Sequence, residues 1–524
     1  MTRRNNQRSS GWQARLNRGL AKAFPVTLVL MALAAGAHGA TLSVANNGID
    51  SGACGTTVSP CRSISQAIIN AAAGDEIVVG PGRYGDLNAD SIIGSGGDEK
   101  GAPGCSCLIA VNKSVIIRST HGAAATSIDA RSVLVLQTVL ITADGVEFGR
   151  PGQGFSVTYP LDNTDPYPSG ITINSNNVFV RGNQVVGFFN GRGIGITTAC
   201  TTGAGNIEDN QVMGWSIGIQ PLCGTKTVSR NVVSFNGYGI LAYTNSPVTD
   251  NIALGNSSTG VYITGNSGSG NIAAGNATGI AGNLNGVLSG NAALGNLTGI
   301  EAGETLLSAV GNNVIGNQCG LRHFGFTTVL ATNNYWGAAS GPGPDPADAV
   351  CSGLATTSPF AATPFNIANP LPAPSVYRIH AGGASYTSSI GTHWIGDSYF
   401  NTGTTVSTAA AIANTTDDPL YQTQRTDPAA APELRYTIAV ANGTYTVKLF
   451  FAEIVATAAG QRVFNVNIDG TAALTNFDIF AAAAGANKAV AKAFTATATT
   501  GTITIDFVHV TGDPMVAAIE VLPQ

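Results

Sequence analysis

Three residues in the middle of the chain could form one charged column: Asp209, Arg230 and Asp250. Each stands directly before an asparagine of a repeat that returns about every 20 residues, where neighbouring repeats carry Gly182, Gly270 and Gly290. If the repeats stack as strands, adjacent members of the column lie about 4.8 Å apart. A carboxylate, guanidinium, carboxylate stack can bind a sugar acid, hold a cation, or satisfy itself as an exposed ion ladder of small energetic value. Glu208 adds a cation ligand in principle, although strand alternation turns it to the opposite face.

A second candidate is an interruption of the repeat between 144 and 170. It carries Phe155, Tyr159 and Tyr167 with Asp162 and Asp165. Aromatic faces stack on pyranose rings and carboxylates bond to hydroxyls, so an excursion of this kind can build a cleft on a rigid face. The competing reading packs these rings against the repeat. Arg192, Arg322 and His323 are polar but share no spacing. Glycoside hydrolysis needs two carboxyl groups at a defined separation, which chain spacing does not fix here, and no phosphate loop, HExxH or nucleophile elbow is present.

These residues need a scaffold, and the repeat supplies it. Lead asparagines at 183, 210, 231, 251, 271, 291 and 313 step by 27, 21, 20, 20, 20 and 22. A second series runs at 236, 256, 276, 296 and 317, each followed by Gly plus an aliphatic residue, as in Gly239-Ile240 and Gly260-Val261. So regular a period means a solenoid. Short alternating apolar segments between Asn-Gly turns, with no helical period, make each coil two or three strands. The expectation is a right-handed parallel β-helix. Asparagine tolerates left-handed backbone at a turn and can bond to its equivalent one coil away, forming a ladder.

Ahead of the repeats, Ser63 can cap a short helix with Ile64, Ala67, Ile68 and Ala71 on one face, ended by Gly74. Such a helix would plug the coil and shield a first strand at 76–79. Proline and alanine thicken near the end of the solenoid, which marks 366–375 as a linker. Beyond it, alternating runs such as Tyr445 to Phe451 and Gly501 to Phe507, with Asn442-Gly443 and Asp469-Gly470 turns, describe an antiparallel β-sandwich over 376–524. The fold class is all-β, a solenoid followed by a sandwich.

Composition agrees with export. Residues 1–40 read as a signal peptide, with six basic residues, an apolar stretch from Phe24 to Ala35, and cleavage after Ala40. The remainder holds 19 Lys and Arg against 30 Asp and Glu, a net charge of 19 − 30 = −11. That balance argues against nucleic acid as a partner, and no further stretch could span a membrane. An oxidising compartment makes disulfides expected. Cys54–Cys61 and Cys319–Cys351 are plausible pairs, Cys200–Cys223 should stack one coil apart, and the Cys105–Cys107 spacing strains a mutual bond.

Two resemblances cover the chain. The run from Cys61 to Tyr84, and Asn333-Asn334-Tyr335-Trp336-Gly337 at the far end, resemble the cap and terminal coil of pectate-lyase-superfamily β-helix proteins. That resemblance implies carboxylates holding calcium and an arginine or lysine base on one face, which here would be Asp209, Arg230 and Asp250. Arg378 to Gly383, Trp394 with Asp397, Leu420 to Arg425, Phe451-Ala452-Glu453, Arg462-Val463-Phe464 and Ala518 to Val521 look like the malectin domain. It implies a glycan partner held by aromatics and an aspartate, which carry over to Trp394 and Asp513; the family's upstream tyrosine has no aligned aromatic, and Tyr399 and Phe400 stand nearest to it. The family's Tyr-Phe pair after Phe-Ala-Glu is replaced by Val455-Ala456. The expected activity is carbohydrate binding by a secreted or cell-surface protein, with the periplasm as the other location, and with a polysaccharide lyase, glycoside hydrolase or other depolymerase as one form of it and a non-catalytic cell-surface, adhesive or matrix protein as the alternative.

Overall fold

Left-handed turns set the shape of the N-terminal part. Gly182, Asp209, Arg230, Asp250, Gly270, Gly290 and Gly311 all have φ between +54° and +67°. Each is followed by a buried asparagine, from Asn183 to Asn312. The left-handed residue is therefore the one before the asparagine, not the asparagine itself, and it turns the amide inward. Asn231 Nδ2 donates to Asn251 Oδ1 at 3.0 Å, and Asn251 Nδ2 donates to Asn271 Oδ1 at 3.0 Å. The ladder continues through Asn291 and Asn312 to Asn334. Asn313, the expected member, instead bonds to the backbone of Phe365, because the left-handed turn falls at Gly311. A second ladder joins Asn236, Asn256, Asn276, Asn296 and Asn317 and ends on Asp348.

These corners bound three parallel sheets of 13, 11 and 10 strands among the described residues of the computed structural model. Described are residues 39–524 apart from short internal stretches, the longest of them 161–166 and 367–376. The expected linker, 366–375, falls almost wholly within the second. Val212, Val233, Ala253, Ala273, Ala293 and Val314 stack in register at the centre, none more than 1% exposed. Their neighbours point to the opposite face, as the pleat requires, and in Ile252–Leu254, Ile272–Ala274 and Ala292–Leu294 both faces are buried.

The capping helix spans Ile64–Asn70, and Ser63 Oγ accepts from Gln66 N at 3.1 Å. Its first amides, on Ile64 and Ser65, donate to the carboxylate of Glu99. Strand Thr41–Val44 pairs with Glu76–Val79, so a strand and not the helix covers the edge of 76–79. Disulfides join Cys54 to Cys61, Cys105 to Cys107 and Cys319 to Cys351. The second forms despite its one-residue spacing, and the expected Cys200–Cys223 pair lies outside the described residues.

The C-terminal part packs two four-stranded antiparallel sheets face to face. Val447, Leu449, Phe451 and Ile519 of one sheet meet Tyr436, Phe464, Ile503 and Phe507 of the other. Asp469 and Gly470, with φ of +48° and +73°, close the hairpin between Val463–Ile468 and Thr471–Phe477, as two-residue turns demand. The sandwich sits on the solenoid. Ile252, Leu254, Ile272 and Leu294 point outward from the 10-stranded sheet into the same core cluster as Tyr399 and Tyr436. A column of left-handed glycines, Gly255, Gly275, Gly295 and Gly316, lies at this contact. A Cβ at Gly275 would come within 2.4 Å of the Tyr399 ring, so only glycine admits it there. No helix of the described residues is long and apolar enough to cross a membrane.

Candidate functional site

Asp209, Arg230 and Asp250 all occupy left-handed turns on consecutive coils. The guanidinium of Arg230 grips Asp209 through Nε and Nη2, both at 2.9 Å, and reaches Glu208 Oε2 at 2.7 Å. Glu208 is thus not turned away. Its strand, Ala204–Glu208, ends at that residue and the left-handed Asp209 breaks the alternation. Glu208 also pairs with Arg181 at 2.7 Å. Further pairs, Arg150 with Glu147 and Arg118 with Glu76, carry an alternating ladder along the same sheet. The bonds from Asp209 and Glu208 outweigh burial and push Arg230 further above its ordinary value. A base must move the other way, toward the working pH. The two carboxylates already hold a guanidinium, so Asp209 and Glu208 do not fit the calcium that the pectate-lyase resemblance implies.

The aromatic excursion separates into two parts. Phe155 is fully buried, 5.1 Å from Phe148, so its ring fills the solenoid and does not face a ligand. Tyr167 is 64% exposed, and Tyr159 is half-buried. Asp162 and Asp165 lie outside the described residues. Tyr159 lies near a group that no sequence spacing suggested: Arg83 and Arg131 share the buried carboxylate of Asp129, at 2.8 and 2.7 Å. Burial raises Asp129, but the Arg131 bonds and both positive charges outweigh it, holding the carboxyl well below the usual range. Sheet register creates this group by pairing Gly82–Gly85 with Thr126–Asp129. Arg131 beside Asp129 was the only local signal.

In the sandwich, Trp394 is 5% exposed and packs edge-on against Phe450 at 5.4 Å. Tyr399 is 1% exposed, wedged against the glycine column of the solenoid. Neither ring has an open face, because each large apolar surface is used for packing. Asp513 is exposed, and its carbonyl accepts from Arg462 Nη1. The Arg462 Nε bonds to Glu453 Oε2 at 2.8 Å, and Glu453 Oε1 accepts the amides of Val455 and Ala456 at 2.9 and 2.7 Å. One buried ion pair therefore holds two loops together, with Val455 55% exposed. Asp397, from the same motif set, is buried and bonds to Arg425, Gly382 N and Tyr436. Burial raises its carboxyl despite the Arg425 partner. Its work is to join strands.

The malectin domain family model matches residues 375–519. Over 122 residues the chain is 33% identical to a probable LRR receptor-like serine/threonine-protein kinase of Arabidopsis thaliana, covering 20% of this chain and 12% of that protein. It is 32% identical over 132 residues to Receptor-like protein 4 of the same plant, covering 22% and 21%. Among solved structures, the ANXUR2 extracellular domain from Arabidopsis thaliana aligns at 19% identity and TM-score 0.27, over 29% of this chain and 49% of that one. A Bacteroides uniformis beta-glucuronidase aligns at 22% identity and TM-score 0.26, over 29% and 18%. The chain thus spans no more than 21% of the length of these curated relatives. Residues 375–519 form a malectin domain, joined to a parallel β-helix.

Proposed function

We propose that this is an exported, extracellular glycan-binding protein whose malectin domain offers the binding loops and whose solenoid, 41–365, is a rigid stave of the pectate-lyase-like kind. The leader would be 1–40, the linker 366–375, and the domain would run on to 524. The observation that supports this reading is the buried Glu453–Arg462 pair, which fixes the Val455-Ala456 loop beside Asp513 before any ligand arrives. Pre-organisation lowers the ordering cost of binding. The Asp513 carboxylate can accept bonds from sugar hydroxyls, and Val455 supplies a small apolar face where the family's aromatics would stand. Receptor-like names among the relatives support the extracellular placement. The self-paired state of Arg230 speaks against a lyase on the ion ladder.

Retention of purified 41–524 on immobilised neutral and acidic oligosaccharides, with polymer chain length followed in parallel, tests the proposal. Asp513→Ala should weaken retention at least about tenfold, the loss of a charge-assisted bond. Unchanged retention would remove the site from these loops, and shortened polymers would replace binding with depolymerisation.

A further inference from the structure

Near the N-terminal cap, the loop after strand Gly82–Gly85 places three carboxylates together. Asp86, Asp90 and Asp98 each bring one oxygen into a group whose members all lie within 4.8 Å of one another. Like charges so close repel, and the arrangement persists because backbone amides hold the carboxylates. Ser91 N donates to Asp86 Oδ2 at 2.8 Å, Ile92 N to Asp90 Oδ1 at 2.7 Å, and Leu87 N to Asp98 Oδ1 at 2.7 Å. Asp86 is fully buried, and its second oxygen, Oδ1, has no hydrogen-bond partner. A buried carboxylate oxygen without a donor is costly unless a cation meets it.

The sequence of the loop points the same way. Asp86, Asn88 and Asp90 alternate, with Ser91 in the left-handed region at φ +65°. Calcium loops of the D-x-N-x-D kind have this alternation of oxygen ligands followed by a left-handed residue at position 6. Here Asp98 stands at position 13, and supplies the remote carboxylate. We infer that Asp86, Asp90 and Asp98 form a calcium site, distinct from the ion ladder, that clasps the loop to the capped end of the solenoid. All the side-chain donors are oxygen, which suits a hard cation. Three carboxylates overcompensate one divalent charge, and carbonyls and water can complete the six to eight ligands that calcium takes. Asp98 leads directly into Glu99, whose carboxylate receives the first amides of the capping helix. An ion here would therefore anchor the cap.

The test is calorimetric titration of the whole exported chain, stripped with a chelator, with calcium and separately with magnesium. One calcium per chain should bind, with a dissociation constant no weaker than about 10⁻³ M, the range of extracellular modules, and more tightly than magnesium. Thermal unfolding should shift upward with calcium. Asp90 is exposed, so Asp90→Asn should fold and should weaken calcium at least about tenfold. Asp98→Asn gives an independent second reading. Absence of binding, or unchanged affinity in both variants, overturns the proposal. So does loss of binding on Glu433→Gln with retention in Asp90→Asn, which would move the ion to the cluster of Asp427, Glu433 and His509.

Discussion

Asn251 shows how much one side chain does in this solenoid. Its Oδ1 accepts both the amide N–H and the Nδ2 of Asn231, while its Nδ2 donates to Val228 O, Thr249 O and Asn271 Oδ1. All but the Thr249 bond are buried, so truncation strands donors and acceptors on three coils. Asn251→Ala should cost about 3 kcal/mol or more, since each buried unsatisfied group costs about 1–3 kcal/mol. Urea denaturation followed by circular dichroism would measure it, and a loss below about 1 kcal/mol would contradict the ladder's importance. The asparagine columns were readable from spacing alone. Which asparagine of the 312–313 pair joins was not, because the left-handed turn at Gly311 decides it.

Strand pairing explains a polar cluster that spacing did not reveal. His509, on strand Thr502–Thr511, bonds through Nδ1 to Glu433 at 2.6 Å and through Nε2 to the Asp427 carbonyl at 2.9 Å. Burial lowers the imidazolium, but the Glu433 carboxylate and Asp427 outweigh it and leave His509 above its ordinary value. A raised folded value means that protonation stabilises the fold. That stability is fully present below the unfolded value of about 6.5 and is lost as pH rises through the folded value. Unfolding midpoints should therefore fall as pH rises above about 6.5, and His509→Gln should flatten that slope. An identical slope in the variant would assign it to other groups. Seventy-six residues separate His509 from Glu433, so no local pattern could have joined them.

At the scale of the molecule, the junction of solenoid and sandwich depends on glycines whose role the repeat alone conceals. Gly275 and Gly290 have nearly the same backbone, φ +64° and +63°, and both would resist a side chain for that reason. They differ in surroundings. A Cβ at Gly290 meets nothing within 4 Å, whereas at Gly275 it meets the Tyr399 ring. Gly275→Ala should split the calorimetric unfolding profile into two transitions and raise the radius of gyration, while Gly290→Ala should only lower the melting temperature. Matching behaviour in both variants would mean that the docking does not depend on this contact. The sequence by itself determined the repeat period, the asparagine ladders, the capping helix and the malectin resemblance, because these rest on local turns and alternation that every coil or hairpin repeats. Tertiary structure alone decided that Tyr399 and Phe155 are packing residues, that Trp394 is closed off, that Glu208 and Asp209 share one guanidinium, and that Arg83 meets Asp129. Those outcomes depend on which face a neighbouring coil or domain covers, and residues far apart in the chain set that.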